Sequence, residues 1–302
     1  MQITAFCLAY LIANVICKKL TEKENEELRE NCGKLRRRAS YKILQGRPVE
    51  RDEYPFFVTL RYHKGLGAEL CGGSLISPYH VLTAAHCIME SEHFDTKKVQ
   101  CVKPREYRKF NYTYYTLLSS WRIYIGSACR LITKCRESKK IDRIYVRTDY
   151  DKCSHVHDIA IITLSSKIER DEGIPICLPQ RKQLLRLIME AVGSGIDPSR
   201  RNIWSGGIQK TYLFRSNEKD FIIETVDKVS ALCSGDSGGP LFSSYKDRFV
   251  QLGIASSVKP PCSESNGYLE NRYVDVRMYL DWICTHTGIC PKKDVDEDED
   301  DD

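Results

Sequence analysis

Three short stretches combine residue types that together perform acyl transfer. Cys233-Ser234-Gly235-Asp236-Ser237-Gly238-Gly239-Pro240 sets a serine among glycines. Glycine lacks a Cβ, so such a backbone turns tightly and lets a ligand come close. A turn of this kind can aim two N–H groups at one point and stabilise a developing oxyanion. Ser237 is the candidate nucleophile, and the N–H groups of Gly235 and Ser237 are the candidate oxyanion hole. A serine hydroxyl needs a base, and the base needs an orienting group. Leu82-Thr83-Ala84-Ala85-His86-Cys87 supplies a histidine after a short apolar run. His157-Asp158-Ile159-Ala160-Ile161-Ile162 supplies an aspartate at the head of an apolar strand.

With these segments, in the order His86, Asp158, Ser237, the chain resembles the trypsin/chymotrypsin family of serine endopeptidases from about Ile43 to about Gly288. The resemblance implies an all-β fold: two six-stranded antiparallel barrels and a C-terminal helix. It also implies a peptide or protein as substrate and no cofactor or metal. The competing reading is a catalytically weak or inactive homologue that acts as an extracellular binding protein.

The elements that must position these residues are legible as short β-rich runs between turn residues. They include Phe56–Leu60, Ser74–Ile76, His80–Leu82, Trp121–Ile125, Ile159–Leu164, Phe221–Ile223, Phe249–Ile254 and Arg272–Val276. The expected domain is 43–290, with an N-terminal barrel over about 43–165, a C-terminal barrel over about 179–276 and a closing helix over about 276–286. His86 and Asp158 belong to the first barrel and Ser237 to the second.

Residues 1–17 carry no charged side chain, and the apolar run Phe6–Ile16 ends at Lys18-Lys19. That run is too short to span a bilayer and fits a signal-peptide core. Fourteen cysteines with no Cys-x-x-Cys pair agree with export. Removing Cys7 and Cys17 leaves an even set, which reads as a disulfide framework of an oxidising compartment. The protein is therefore expected to be extracellular, secreted and monomeric.

Residues 18–42 are polar and charged and read as a propeptide. The resemblance implies cleavage between Lys42 and Ile43 by an activating protease, after which the new α-amino group of Ile43 pairs with Asp236. A buried carboxylate is costly unless paired, so an arriving ammonium orders the loop that forms the oxyanion hole. The resemblance also implies the pairs Cys32–Cys177, Cys71–Cys87 and Cys233–Cys262. Cys101, Cys129, Cys135, Cys153, Cys284 and Cys290 allow fifteen connectivities, and the sequence does not choose among them.

Two departures from the family pattern stand out. The segment between His86 and Trp121 is long, basic and tyrosine-rich, and holds the sequon Asn111-Tyr112-Thr113. It reads as a glycosylated surface excursion; an exosite that holds an anionic surface is the alternative. The stretch from Gly193 to Cys233 is short and lacks cysteine, so one family disulfide is missing.

In the family, the residue six before the nucleophile floors the primary specificity pocket. Here it is Ala231, which argues against Arg or Lys as the preferred side chain. Leu232, Ser256, Val258 and Asn271 complete the candidate pocket, with Val258 narrowing its entrance and Asn271 filling a wall. The expected preference is small and apolar, with an occluded pocket as the rival. Residues 291–302 carry eight acids against an otherwise basic body, and such a block is normally a disordered, solubilising tail. It supplies no fixed geometry for Ca²⁺. No nucleic-acid motif is present; protein inhibitors remain candidate partners.

Overall fold

The computed structural model describes residues 18–34, 47–64, 67–89, 118–128, 131–196, 207–227, 231–262 and 269–292. The leader, Lys42, Ile43, Asn111, the basic excursion and the acidic tail beyond Lys292 lie outside these residues.

The architecture is all-β with two sheets. The first holds six strands in the order β5-β2-β3-β4-β7-β6. These are β2 (Phe57–Lys64), β3 (Gly67–Ser77), β4 (His80–Thr83), β5 (Trp121–Ile125), β6 (Ile141–Val146) and β7 (Ala160–Leu164). Among the described residues its two edges meet at one antiparallel bridge, Ile123 to Lys139. This sheet is a curled half-barrel, joined at one point where a full barrel has a ladder.

The second sheet closes. Its strands are β8 (Ile188–Gly193), β9 (Gln209–Lys219), β10 (Ile222–Asp227), β11 (Pro240–Tyr245), β12 (Arg248–Lys259) and β13 (Leu269–Asp275). They run β9-β10-β13-β12-β11-β8, and β8 pairs back onto β9 to complete the ring. The two-residue β1 (Arg47–Pro48) adds to β9. A 3₁₀ turn over Val276–Tyr279 leads into the C-terminal helix, Leu280–Thr287.

Burial follows from the residue types. All four residues of β4 and all five of β7 are buried, so these strands read as apolar runs without alternation. The two sheets are joined by an aromatic cluster. Phe56, ahead of β2, packs edge-on to Phe242 of β11 at 5.2 Å, and Phe242 packs on Phe249 of β12 at 5.0 Å. Tyr54 meets Phe242 at 5.5 Å. Edge-to-face pairs of this kind add about 0.5–1.5 kcal/mol each beyond their burial.

Ahead of the sheets lies helix α1 (Glu22–Asn31), in a segment whose composition suggests only a charged propeptide. Thr21 and Glu24 form a reciprocal capping box at its start. Such a box satisfies two N–H groups that the first helical turn leaves without partners. Leu28 is buried, and Cys32 is bonded to Cys177. Gly33 then adopts φ +66°, and a Cβ there would lie 2.4 Å from the Phe249 carbonyl. Only glycine fits. The closeness lets Gly33 accept from Phe249 N at 3.0 Å and donate to Pro175 O at 2.7 Å.

Cys71–Cys87, Cys233–Cys262 and Cys32–Cys177 are all present, together with Cys284–Cys290. Cys135 and Cys153 are also disulfide-bonded. Each bridge typically contributes about 2–4 kcal/mol, mainly by restricting the unfolded chain.

Candidate active site

β4 and β7 run side by side, with Thr83 opposite Ala160. That register brings the residues just after β4 against those just before β7. The short helix α2 (Ala85–Met89) follows β4 and carries His86. Asp158 lies two residues before β7 and is fully buried.

The contact is double. The His86 backbone N–H donates to Asp158 Oδ1 at 2.8 Å, and the ring Nδ1 lies 2.7 Å from Oδ2. A carboxylate only accepts, so the ring proton sits on Nδ1 and leaves Nε2 as a base. Ser256 Oγ donates to Oδ2 at 2.6 Å. Burial works to raise the Asp158 pKa, but the facing His86 and the contacts from His155, His86 and Ser256 outweigh it. They hold the carboxyl well below the usual range, so Asp158 is ionised at neutral pH.

The turn bearing Ser237 is fastened from both sheets. From the first, Gly72 of β3 donates its N–H to Ser237 O at 2.6 Å. The neighbouring Cys71–Cys87 bridge ties this strand to α2, and Cys87 Sγ lies 3.6 Å from the same oxygen. From the second, Gly238 N–H donates to Ala255 O at 2.7 Å, and Ala255 N–H donates to Gly239 O at 2.9 Å. Gly238 leaves no space for a Cβ, which would sit 2.2 Å from Thr83 Oγ1. His86, Asp158 and the Ser237 turn therefore converge at the seam between the sheets. Gly235 adopts φ +100°, so the backbone at the candidate oxyanion hole takes the glycine-favoured form.

Asp236 points away from this seam. Its Oδ1 accepts from Gly195 N at 2.7 Å and its Oδ2 from Cys233 N at 3.0 Å. A Cβ at Gly193 would stand 2.0 Å from Oδ1, and one at Gly195 2.7 Å from both oxygens. These two glycines form the seat of the carboxylate, a role that the sequence reading did not give them. Burial pushes the Asp236 pKa up to about 6, against the pull of the two hydrogen bonds. The Tyr273 hydroxyl is buried without a hydrogen-bond partner among the described residues, and the Asp236 charge adds to the burial that raises its pKa.

Ala231 and Leu232 are half-buried beside the Cys233–Cys262 bridge. Asn271 of β13 is fully buried and stands opposite Val258 of β12. Its Oδ1 accepts from Leu232 N at 2.7 Å, and its Nδ2 lies 3.4 Å from Thr225 Oγ1. The amide thus ties Leu232 to Thr225 of β10. Ser256, expected at the pocket, turns its hydroxyl to Asp158. His155, which the sequence reading passed over, places Nδ1 3.6 Å from Asp158 Oδ2.

Among the described residues no helix is long and apolar enough to cross a membrane. Comparison with known proteins agrees with the geometry. The chain is 27% identical to CLIP domain-containing serine protease B15 of Anopheles gambiae, over 81% of this chain and 69% of that one. It is 28% identical to phenoloxidase-activating factor 3 of Holotrichia diomphalia, over 89% and 79%. It is 26% identical to chymotrypsin-C of Mus musculus, over 81% and 88%. The family profile described as Trypsin matches residues 43–283; the chain belongs to the trypsin family and is a serine-type endopeptidase.

Proposed function

We propose that this protein is a secreted endopeptidase, made as a zymogen and activated by cleavage between Lys42 and Ile43. In this reading residues 1–17 are a signal peptide, 18–42 a propeptide, 43–290 the peptidase domain and 291–302 an acidic tail. The observation that carries the catalytic part is the His86–Asp158 pair at 2.7 Å, with Ser256 on the same carboxylate oxygen.

His86 Nε2 takes the proton of Ser237 Oγ as the hydroxyl attacks a peptide carbonyl. Asp158 keeps the ring oriented and stabilises the imidazolium. The Gly235 and Ser237 N–H groups receive the oxyanion. His86 then protonates the leaving amine, and water repeats the sequence on the acyl-enzyme. After activation, the Ile43 ammonium pairs with Asp236 and fixes the turn that carries both N–H donors.

Ala231 supplies no charge to the candidate pocket, and the Asn271 amide is buried against Leu232. The preferred side chain is small and apolar. The buried Asn271 beside Leu232 also favours a second reading, in which the chain is a weakly active homologue that binds a protein partner.

A serine-directed probe separates the two. Residues 18–302, expressed through a secretory host, are cut at Lys42 with a trace of trypsin, which is then inactivated. A fluorophosphonate should label the cut protein at Ser237, and neither the uncut chain nor the Ser237→Ala variant. Absence of labelling after a verified cut rejects catalysis and leaves the binding protein.

A further inference from the structure

We propose that His86, His155 and Asp158 form a binding site for a divalent cation of the zinc class, and that occupancy stops catalysis. One ligand atom from each of the three residues lies within 4.8 Å of the other two. Two of the contacts converge on Asp158 Oδ2: His86 Nδ1 at 2.7 Å and His155 Nδ1 at 3.6 Å.

Three features set His155 apart from an ordinary neighbour. At 3.6 Å its nitrogen is too far from the carboxylate for a hydrogen bond. That same Nδ1 is buried with no hydrogen-bond partner among the described residues, and such an orphaned atom calls for an explanation. The residue is also held at φ +55°, and His157 at φ +59°. Non-glycine residues in this region are uncommon, and they gather at functional sites. The loop holds an imidazole nitrogen next to the ionised carboxylate without completing a bond.

The donor set selects the metal. Two imidazoles and one carboxylate suit zinc and its borderline neighbours, whereas calcium and magnesium take oxygen shells. Zinc–nitrogen and zinc–oxygen bonds of about 2.0–2.2 Å set neighbouring donors of a tetrahedral ion about 3.3 Å apart. The contacts of 2.7 and 3.6 Å bracket that spacing. The His155 side chain is 34% exposed, so it can swing and admit the ion from solvent. Asp158 is fixed for the role by two other donors: His86 N–H on Oδ1 and Ser256 Oγ on Oδ2. Outer hydrogen bonds of this kind orient metal ligands. The sulfurs of Cys71 and Cys87 also lie near His86, but they are joined in a disulfide and offer no thiolate.

Zinc on His86 Nδ1 displaces the proton from that nitrogen, and in the neutral ring the proton then sits on Nε2. Nε2 is the atom that would receive the serine proton, so the ring no longer acts as a base. Binding itself is independent of the catalytic reading; the inhibitory consequence rests on it.

The test measures both. Zinc alone is titrated calorimetrically into chelator-cleared Ser237→Ala protein, which cannot digest itself. One ion should bind, and His155→Asn should weaken it at least about 100-fold, because loss of even an outer partner typically costs about 10–100-fold. Asparagine is chosen because it tolerates the left-handed backbone at this position. His86→Gln is a second variant, expected to lose zinc equally. In the cut active protein, zinc should lower peptide hydrolysis and a chelator should restore it, with His155→Asn needing far more zinc. Undiminished zinc affinity in His155→Asn, or no zinc uptake by the Ser237→Ala parent, overturns the proposal. If the fluorophosphonate fails to label Ser237 but zinc still binds, the catalytic reading falls and the metal site stands.

Discussion

At the scale of single residues, Asp158 is where charge, burial and hydrogen bonding meet. Replacing it with asparagine keeps the shape but lets the His86 ring adopt the other tautomer. The expected loss in kcat is about 10⁴-fold, with the fold retained. Ser256→Ala is the subtler test. A hydrogen bond to a charged group is worth about 1.5–3 kcal/mol, so kcat should fall about 10–100-fold while KM changes little. If the KM rises instead and kcat holds, Ser256 is a pocket residue alone. Asn271→Gly removes the amide that holds Leu232 N and should enlarge the candidate pocket. Its kcat/KM should then shift toward larger apolar side chains in a peptide library. An unchanged preference would mean that Asn271 does not line the pocket. His86, Asp158 and Ser237 stand out in the sequence as candidates because their flanking residues form distinctive strings. His155 was not, since nothing in Ser154-His155-Val156 announces chemistry. Its meaning comes from the buried carboxylate it faces.

Among the elements, the apolar runs gave themselves away and the mixed ones did not. Trp121–Ile125 is a strand to the residue, and Ile159–Leu164 is off by one. β8 is hidden by Glu190, a charged residue in a buried strand, because its partner Tyr54 is known only from the fold. That burial pushes the Glu190 pKa up to about 7. β9 reads Gln-Lys-Thr-Tyr-Leu-Phe-Arg-Ser-Asn-Glu-Lys and leaves one residue, Leu213, fully inside. Helix α1 is nearly all polar, so periodicity is silent, although Thr21-x-x-Glu24 is a legible cap. The helix is nevertheless anchored. Arg29 Nη1 donates to Cys290 O at 3.2 Å, and Leu20 N–H donates to Thr287 O at 2.8 Å. Leu28→Ala should therefore lower stability by about 2–3 kcal/mol, measured by denaturant unfolding. Thr21→Ala should cost about 1 kcal/mol. After cleavage at Lys42, the released segment should stay attached on a non-reducing gel through Cys32–Cys177. Free migration of the segment, or no stability change in Leu28→Ala, would show that α1 does not dock in solution.

For the whole molecule, the test of activation is how stability responds to pH. Asp236 has a pKa raised from the ordinary 3.8 to about 6, chiefly by burial. Its folded form therefore favours the neutral acid. Ionising it costs stability: nothing below about 4, a growing amount between 4 and 6, and the full amount above 6. At neutral pH the cost is about 3 kcal/mol. Pairing with an Ile43 ammonium reverses the sign, because the charged form is then the favoured one. Cut protein should therefore melt above uncut protein at pH 7.5 by about 6–12 °C. The gap should close as pH falls through 6 toward 4, where the carboxyl is protonated in the uncut chain and the ion pair weakens in the cut one. Glu190 also titrates near neutrality, but it is common to both forms and drops out of the difference. The comparison is made on the Ser237→Ala background to prevent autolysis. Asp236→Asn should abolish the pH-dependent gap, since the amide gains nothing from the ammonium. A gap that stays constant from pH 4.5 to 7.5 would mean that the new N-terminus does not reach Asp236. The turn that carries Ser237 would then have to be ordered by the contacts already present, from Gly72, Ala255 and the Gly193–Gly195 seat.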